Sequence, residues 1–159
     1  MLAKNVAMPK LTIELVPRSC WFSNVRDHVT PKQWDTIRRK TYRDAESHCQ
    51  VCGGIGDKWP VECHEIWEYQ ENNLIQKLTG LIALCPNCHR VKHIGYASIS
   101  GNFEMAKAHL AKVNNWNEDT AQSYINSAFL TWEKRSQQKW KLDLSWLLTN
   151  FGIDIVEKR

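Results

Sequence analysis

Two cysteine pairs carry the strongest chemical signal in the chain. Cys49-x2-Cys52 and Cys85-x2-Cys88 are separated by 32 residues. Each pair can chelate half of a tetrahedron, and four thiolates close a zinc site that leaves no open position. Such a site supplies fold, not catalysis. In small zinc modules its binding energy is folding energy, roughly 10–16 kcal/mol. Three imidazoles interleave with the pairs. His89 and His93 are four residues apart, which on a helix sets both rings on one face. His64 falls on an expected strand, and if that strand packs on the helix the three can share a cation. Three protein ligands with open positions make a catalytic kind of metal site. A second closed, purely structural zinc site is the alternative.

Six cysteines in a short chain also raise the question of disulfides. Met1 to Lys10 holds no apolar core of secretory length, and no apolar run approaches a membrane span. A cytoplasmic chain with reduced thiols is therefore expected, and paired CxxC spacings there point to metal. Two redox CxxC pairs would need a strand–CxxC–helix setting that the flanks do not offer. Cys20 and Cys63 stand outside the pairs and read as buried thiols.

Elements must bring these ligands together. Thr30 can cap a helix, Pro31 suits its first position and Gln33 can complete a capping box. Trp34, Ile37, Thr41 and Ala45 recur at helical spacing, so a helix is expected over 31–47. Gly53 and Gly54 let backbone amides turn toward the sulfurs of the first knuckle. Trp59 to Ile66 and Leu78 to Leu84 read as strands, with polar residues 68–76 as a loop. Pro86 opens a helix that Gly95 should end. Beyond residue 100 the stripes are helical: Phe103, Ala106, Leu110 and Val113, then Ala121, Tyr124, Ile125, Ala128 and Trp132 after a cap at Asn117. A last amphipathic segment covers 137–151. The chain thus divides into an N-terminal arm and basic helix (1–48), a metal module (49–95) and a helical extension (96–159).

The formal net charge of +4 is too small to argue for nucleic acid, so its distribution matters. Residues 18–48 hold seven Lys/Arg against four Asp/Glu, and residues 49–95 hold four against five. The densest cluster is Lys32, Arg38, Arg39, Lys40 and Arg43. It could follow a phosphate backbone or form a solvated helix face. Eight tryptophans suit packing, since each ring buries a large area.

Residues 49–95 resemble the HNH endonuclease family. The matching residues are Cys49-x2-Cys52, Glu62-Cys63-His64-Glu65-Ile66, and Leu81-Ile82-Ala83-Leu84-Cys85-Pro86-Asn87-Cys88-His89-Arg90-Val91-Lys92-His93. The whole chain also looks like a bacterial and phage group of that family with a CHEIW-type signature. The resemblance implies an α+β fold, a zinc-stapled ββα-metal (HNH) module with flanking N-terminal and C-terminal helices. It implies a hairpin and helix gripping one divalent metal such as Mg, Mn, Zn or Ni, and hydrolysis of DNA phosphodiester bonds. Glu62 shares a strand face with His64 and can support the site from behind.

In the colicin-type version of the family, the first His of a pair binds metal and the second is the general base. His64 matches the ligand and Glu65 the base position; His89 and His93 match the helix ligands. The orienting Asn falls on Gly80. A free Glu sits at about 4.3, and a nearby cation lowers it further. Glu65 is then a weaker base than His, although ionised and ready to align a water, or to ligate a harder ion such as Mg²⁺. A register with His64 as base would put Cys63 where family members carry Asp or His. Arg90 and Lys92 could add positive charge near the phosphate. The leading expectation is a DNA endonuclease. The rival is a catalytically weak or inactive zinc module of the same fold that binds nucleic acid or a protein partner.

Overall fold

Capping starts the first helix as the sequence asks. A computed structural model describes residues 8–155, so residues 1–7 of the expected arm and 156–159 of the extension lie outside it. In helix α1 (Pro31–Asp44), Thr30 Oγ1 accepts from the Gln33 amide at 3.1 Å, and Gln33 Oε1 accepts from the Thr30 amide at 2.9 Å. The helix stops short of residue 47. Glu46 and Ser47 take φ of 51° and 56°, which swings the chain into the first cysteine knuckle.

Strands β1 (Glu62–Gln70) and β2 (Ile75–Leu84) form an antiparallel hairpin. The polar stretch expected as a loop is mostly strand; only residues 71–74 turn, with Leu74 at φ 52°. Polarity misleads here because Glu68 sits directly opposite Lys77, a favourable cross-strand charge pair. The expected strand start at Trp59 also shifts to Glu62. A bulge lies where Ile66 pairs with Gly80 and Trp67 with Leu78. The extra residue re-phases the alternation, so Leu78 and Leu81 both reach one core.

Helix α2 (Pro86–Lys92) follows the hairpin directly. Gly95 does not end the helical run. The axis breaks at His93 (φ −103°, ψ 41°), and α3 (Ile94–Ile99) continues before Gly101, at φ 80°, closes it. Two longer helices come next, α4 (Phe103–Asn114) and α5 (Glu118–Ser136), the latter capped by Asn117 Oδ1 on the Thr120 amide at 2.8 Å. The final amphipathic stretch is not one helix. Lys141–Asp143 forms β3, parallel to β2, and only Trp146–Phe151 is helical, as α6. The result is a mixed α+β structure with a three-stranded sheet, order β1-β2-β3.

The hairpin separates two apolar cores. On one side Leu84 and Ile82 meet Val91, Ile94, Leu110 and Ile125 from the helices, with Leu11 and Ile13 from the N-terminal segment. On the other, Leu78, Trp67 and Leu81 meet Ile37 of α1, Val25, and Leu144 and Leu147. Each fully buried Leu or Ile contributes roughly 1.5–3 kcal/mol. Asn114 pins the N-terminal segment, accepting from the Lys10 and Leu11 amides and donating to the Leu11 carbonyl at 2.8 to 2.9 Å. Among the described residues no helix is long and apolar enough to cross a membrane.

Gly56 locks the first knuckle onto α2. A Cβ there would lie 2.3 Å from the Trp59 carbonyl oxygen and 2.7 Å from the Pro86 ring. Gly56→Ala is expected to destabilise the protein by about 2 kcal/mol or more. Denaturant unfolding checks it; a loss under about 0.5 kcal/mol, the range of a neutral surface change, would show that the contact relaxes freely.

Candidate metal centres

The knuckle amides are the first sign that the cysteines form one site. The Cys52 amide points at Cys49 Sγ (3.5 Å), Gly54 at Cys52 Sγ (3.4 Å) and Cys88 at Cys85 Sγ (3.4 Å). The four sulfurs all lie within 4.8 Å of one another, Cys52 and Cys85 being 3.6 Å apart. Tetrahedral zinc with bonds near 2.3 Å needs sulfurs about 3.8 Å apart. The thiols of the cluster titrate differently. Hydrogen bonds from Cys88 and from nearby amides lower Cys49 to about 4, whereas Cys88 and Cys85 are pushed up. Cys88 rises mainly by holding the proton it shares with Cys49, Cys85 mainly by burial. A cation at the centre would bring all four to thiolate. These residues can therefore hold a structural metal such as zinc. All six cysteines are free of disulfides.

His64 projects from β1 toward α2, which carries His89, with His93 at its C-cap. Their ligand atoms also lie within 4.8 Å of one another. His89 Nε2 and His93 Nε2 are 3.0 Å apart, close to the ~3.3 Å that two imidazoles subtend at a tetrahedral ion. Glu62, on the same strand face as His64, bonds His89 Nδ1, which leaves Nε2 for the cation. Trp59 Nε1 in turn donates to the other Glu62 oxygen at 2.8 Å. Burial lowers His64 to about 2, with help from His93, His89 and Lys92. Burial and His89 lower His93 to about 4, although that residue keeps an exposed edge. Both rings are neutral above those values, the state in which a nitrogen lone pair is free for metal.

Glu65 alternates to the opposite face of β1, where its Oε1 accepts from the Val25 amide at 2.6 Å. Burial raises its pKa, against the ordinary carboxylate value expected from sequence. Gly80 is buried opposite Ile66, and a Cβ there would make only an ordinary 3.5 Å contact. Of the two cysteines expected to be buried, Cys20 is; Cys63 is only half-buried, beside Thr41, and desolvation pushes its thiol up to about 11.

The basic residues divide. Lys32, Arg39, Lys40 and Arg43 are exposed on α1, with Lys40 paired to Asp44 and half-buried Arg38 paired to Asp35. Helix α1 packs through Ile37 and Thr41 on the strand face of Cys63 and Trp67, away from His64. Lys92 is neither solvated nor free for phosphate. It is buried, its ammonium held by Thr12 at 2.8 Å and Glu14 at 2.9 Å. Arg90 is half-buried against Asn87 and Met105.

His109 has no counterpart among the residues singled out from sequence. Its Nε2 lies 3.2 Å from Cys88 Sγ, a hydrogen-bonded contact that ties α4 to the cysteine site. Its position three residues after buried Ala106 sets it near the core stripe, but nothing in the spacing says which cysteine it meets. No family model, curated protein or solved structure matches the chain.

Two outcomes follow from this geometry. Glu62→Ala should weaken divalent-ion binding at the histidines by about 10–100-fold while the cysteine site stays loaded; equal affinities in calorimetry would deny Glu62 that role. Because the lowered values leave His64 and His93 unprotonated at pH 6, ion binding there should displace no proton from either. Calorimetry in buffers of different ionisation enthalpy measures this, and release of two or more protons per ion would contradict it.

Proposed function

We propose that the chain is a metal-dependent endonuclease of the HNH type, hydrolysing DNA phosphodiester bonds. One observation carries the reading: a strand imidazole and two imidazoles from α2 converge beside a four-cysteine cluster. A divalent ion such as Mg, Mn, Zn or Ni bound there supplies Lewis-acid polarisation of a phosphate oxygen and a bound water of lowered pKa. The chain's own residues do the rest. Glu62 fixes the tautomer and direction of His89. The three histidines line a cleft of about 1050 Å³ that wraps round β1 and reaches Glu65 on its other face. Burial raises the Glu65 pKa, which makes that carboxylate a better proton acceptor than a free one. The Val25 amide restrains that carboxylate, the part an orienting Asn plays in the family and Gly80 cannot.

A second reading rests on the same residue. With Glu65 held on the far strand face and no side chain at Gly80, the module could bind nucleic acid or a protein partner without cutting.

Supercoiled plasmid incubated with zinc-loaded protein and added Mg²⁺, Mn²⁺, Zn²⁺ or Ni²⁺ separates the two. Nicking by the wild type, abolished in His89→Ala with zinc content and circular dichroism unchanged, is the expected outcome. An intact plasmid with every ion would sink the nuclease and leave the binding module.

A further inference from the structure

We propose that the cleft over the three histidines takes an unpaired nucleic-acid strand in preference to a duplex. The inference rests on the nuclease reading for the chemistry at the histidines, and on the cleft walls for the substrate. Those walls are largely apolar, and two of their rings face solvent. Trp21 is 63% and Tyr96 70% exposed, and both line the same cleft as His64, His89 and His93. Ile99, 82% exposed, adds to that surface. Exposed apolar side chains gathered at one cleft suit a ligand with apolar faces. Tyr96 stands three residues after His93, on the helix that continues from it.

A duplex offers such walls little. Its outer surface is phosphate and sugar, with only base edges in the grooves. An unpaired strand offers ring faces, which stack on aromatic side chains whatever the base. The cations agree with this choice. Lys10 and Arg26 line the cleft and make no ion pair among the described residues, so both are free for a phosphate. The basic set on α1 that could track a duplex backbone does not line it. Beside the carboxylates of Asp27 and Glu65 and the Lys92–Glu14 pair, the cleft therefore combines metal ligands, two unpaired cations and two stacking surfaces, parts that suit single strands.

The test is fluorescence anisotropy on the full zinc-loaded chain. The probe is a labelled 20-nucleotide DNA, as a single strand or as its blunt duplex, with no second ion added. The single strand should bind about tenfold tighter. Trp21→Ala and Tyr96→Ala should each weaken it by about tenfold, and Trp21→Phe should restore most of the loss. Zinc content and circular dichroism confirm that each variant folds. Equal or tighter binding of the duplex, no binding of either probe, or alanine variants that bind like wild type would overturn the inference. Parallel incubations with Mg²⁺, Mn²⁺, Zn²⁺ or Ni²⁺ keep the two proposals apart. Tight single-strand binding without cleavage by any ion sinks the nuclease and spares the cleft assignment. Cutting the duplex as fast as the single strand does the opposite.

Discussion

One short helix joins two centres. The seven residues of α2 carry Cys88 and His89 side by side, one facing the cysteine cluster and the other facing His64. A helix of that length has no stability of its own in water. Burial of Val91 holds it, with Ile94 of α3 in the same core, and an ion closing the four sulfurs would tether its first turn to the Cys49 knuckle. Such a tether would also fix the histidine geometry. His64 comes from the strand before β2 and His93 from the far end of α2, so their separation is set by how the hairpin and the helix are clamped.

Support for the clamp comes from beyond the module. His109 of α4 reaches Cys88, and Arg90 of α2 reaches Met105 of α4. Lys92 is held by Thr12 and Glu14 of the N-terminal segment. Flanking segments on both sides of the cysteine pairs thus touch the helix that bears the ligands. The C-terminal part also adds β3 to the sheet.

Burial sets the chemical state of the site. Desolvation lowers His64 and His93, with help from His89 for both and from His93 for His64, which suits them as ligands rather than bases. Glu65 moves the other way, its carboxyl raised because water is excluded from it. One strand therefore carries a nitrogen kept neutral on one face and a carboxyl made more basic on the other. The alternation of a β-strand is the reason: neighbours one residue apart enter different environments.

Much was legible in local pattern. The two CxxC spacings, the i, i+4 histidines, the Thr30 capping box and the Asn117 cap depend on contacts within a few residues, and these need no knowledge of the rest of the chain. Strand limits, the break at His93 and β3 were not legible. They follow from pairing and packing with residues far away: Glu68 remains in a strand because Lys77 lies opposite, and residues 141–143 extend only because β2 offers an edge. The same division runs through the site. Residue types and spacing were enough to nominate the ligands. The commitment of Lys92 to Glu14, of Glu65 to Val25 and of His109 to Cys88 joins residues 21 to 78 positions apart. No short-range rule reaches that far, because which side chains meet is decided by how the two cores close around the hairpin.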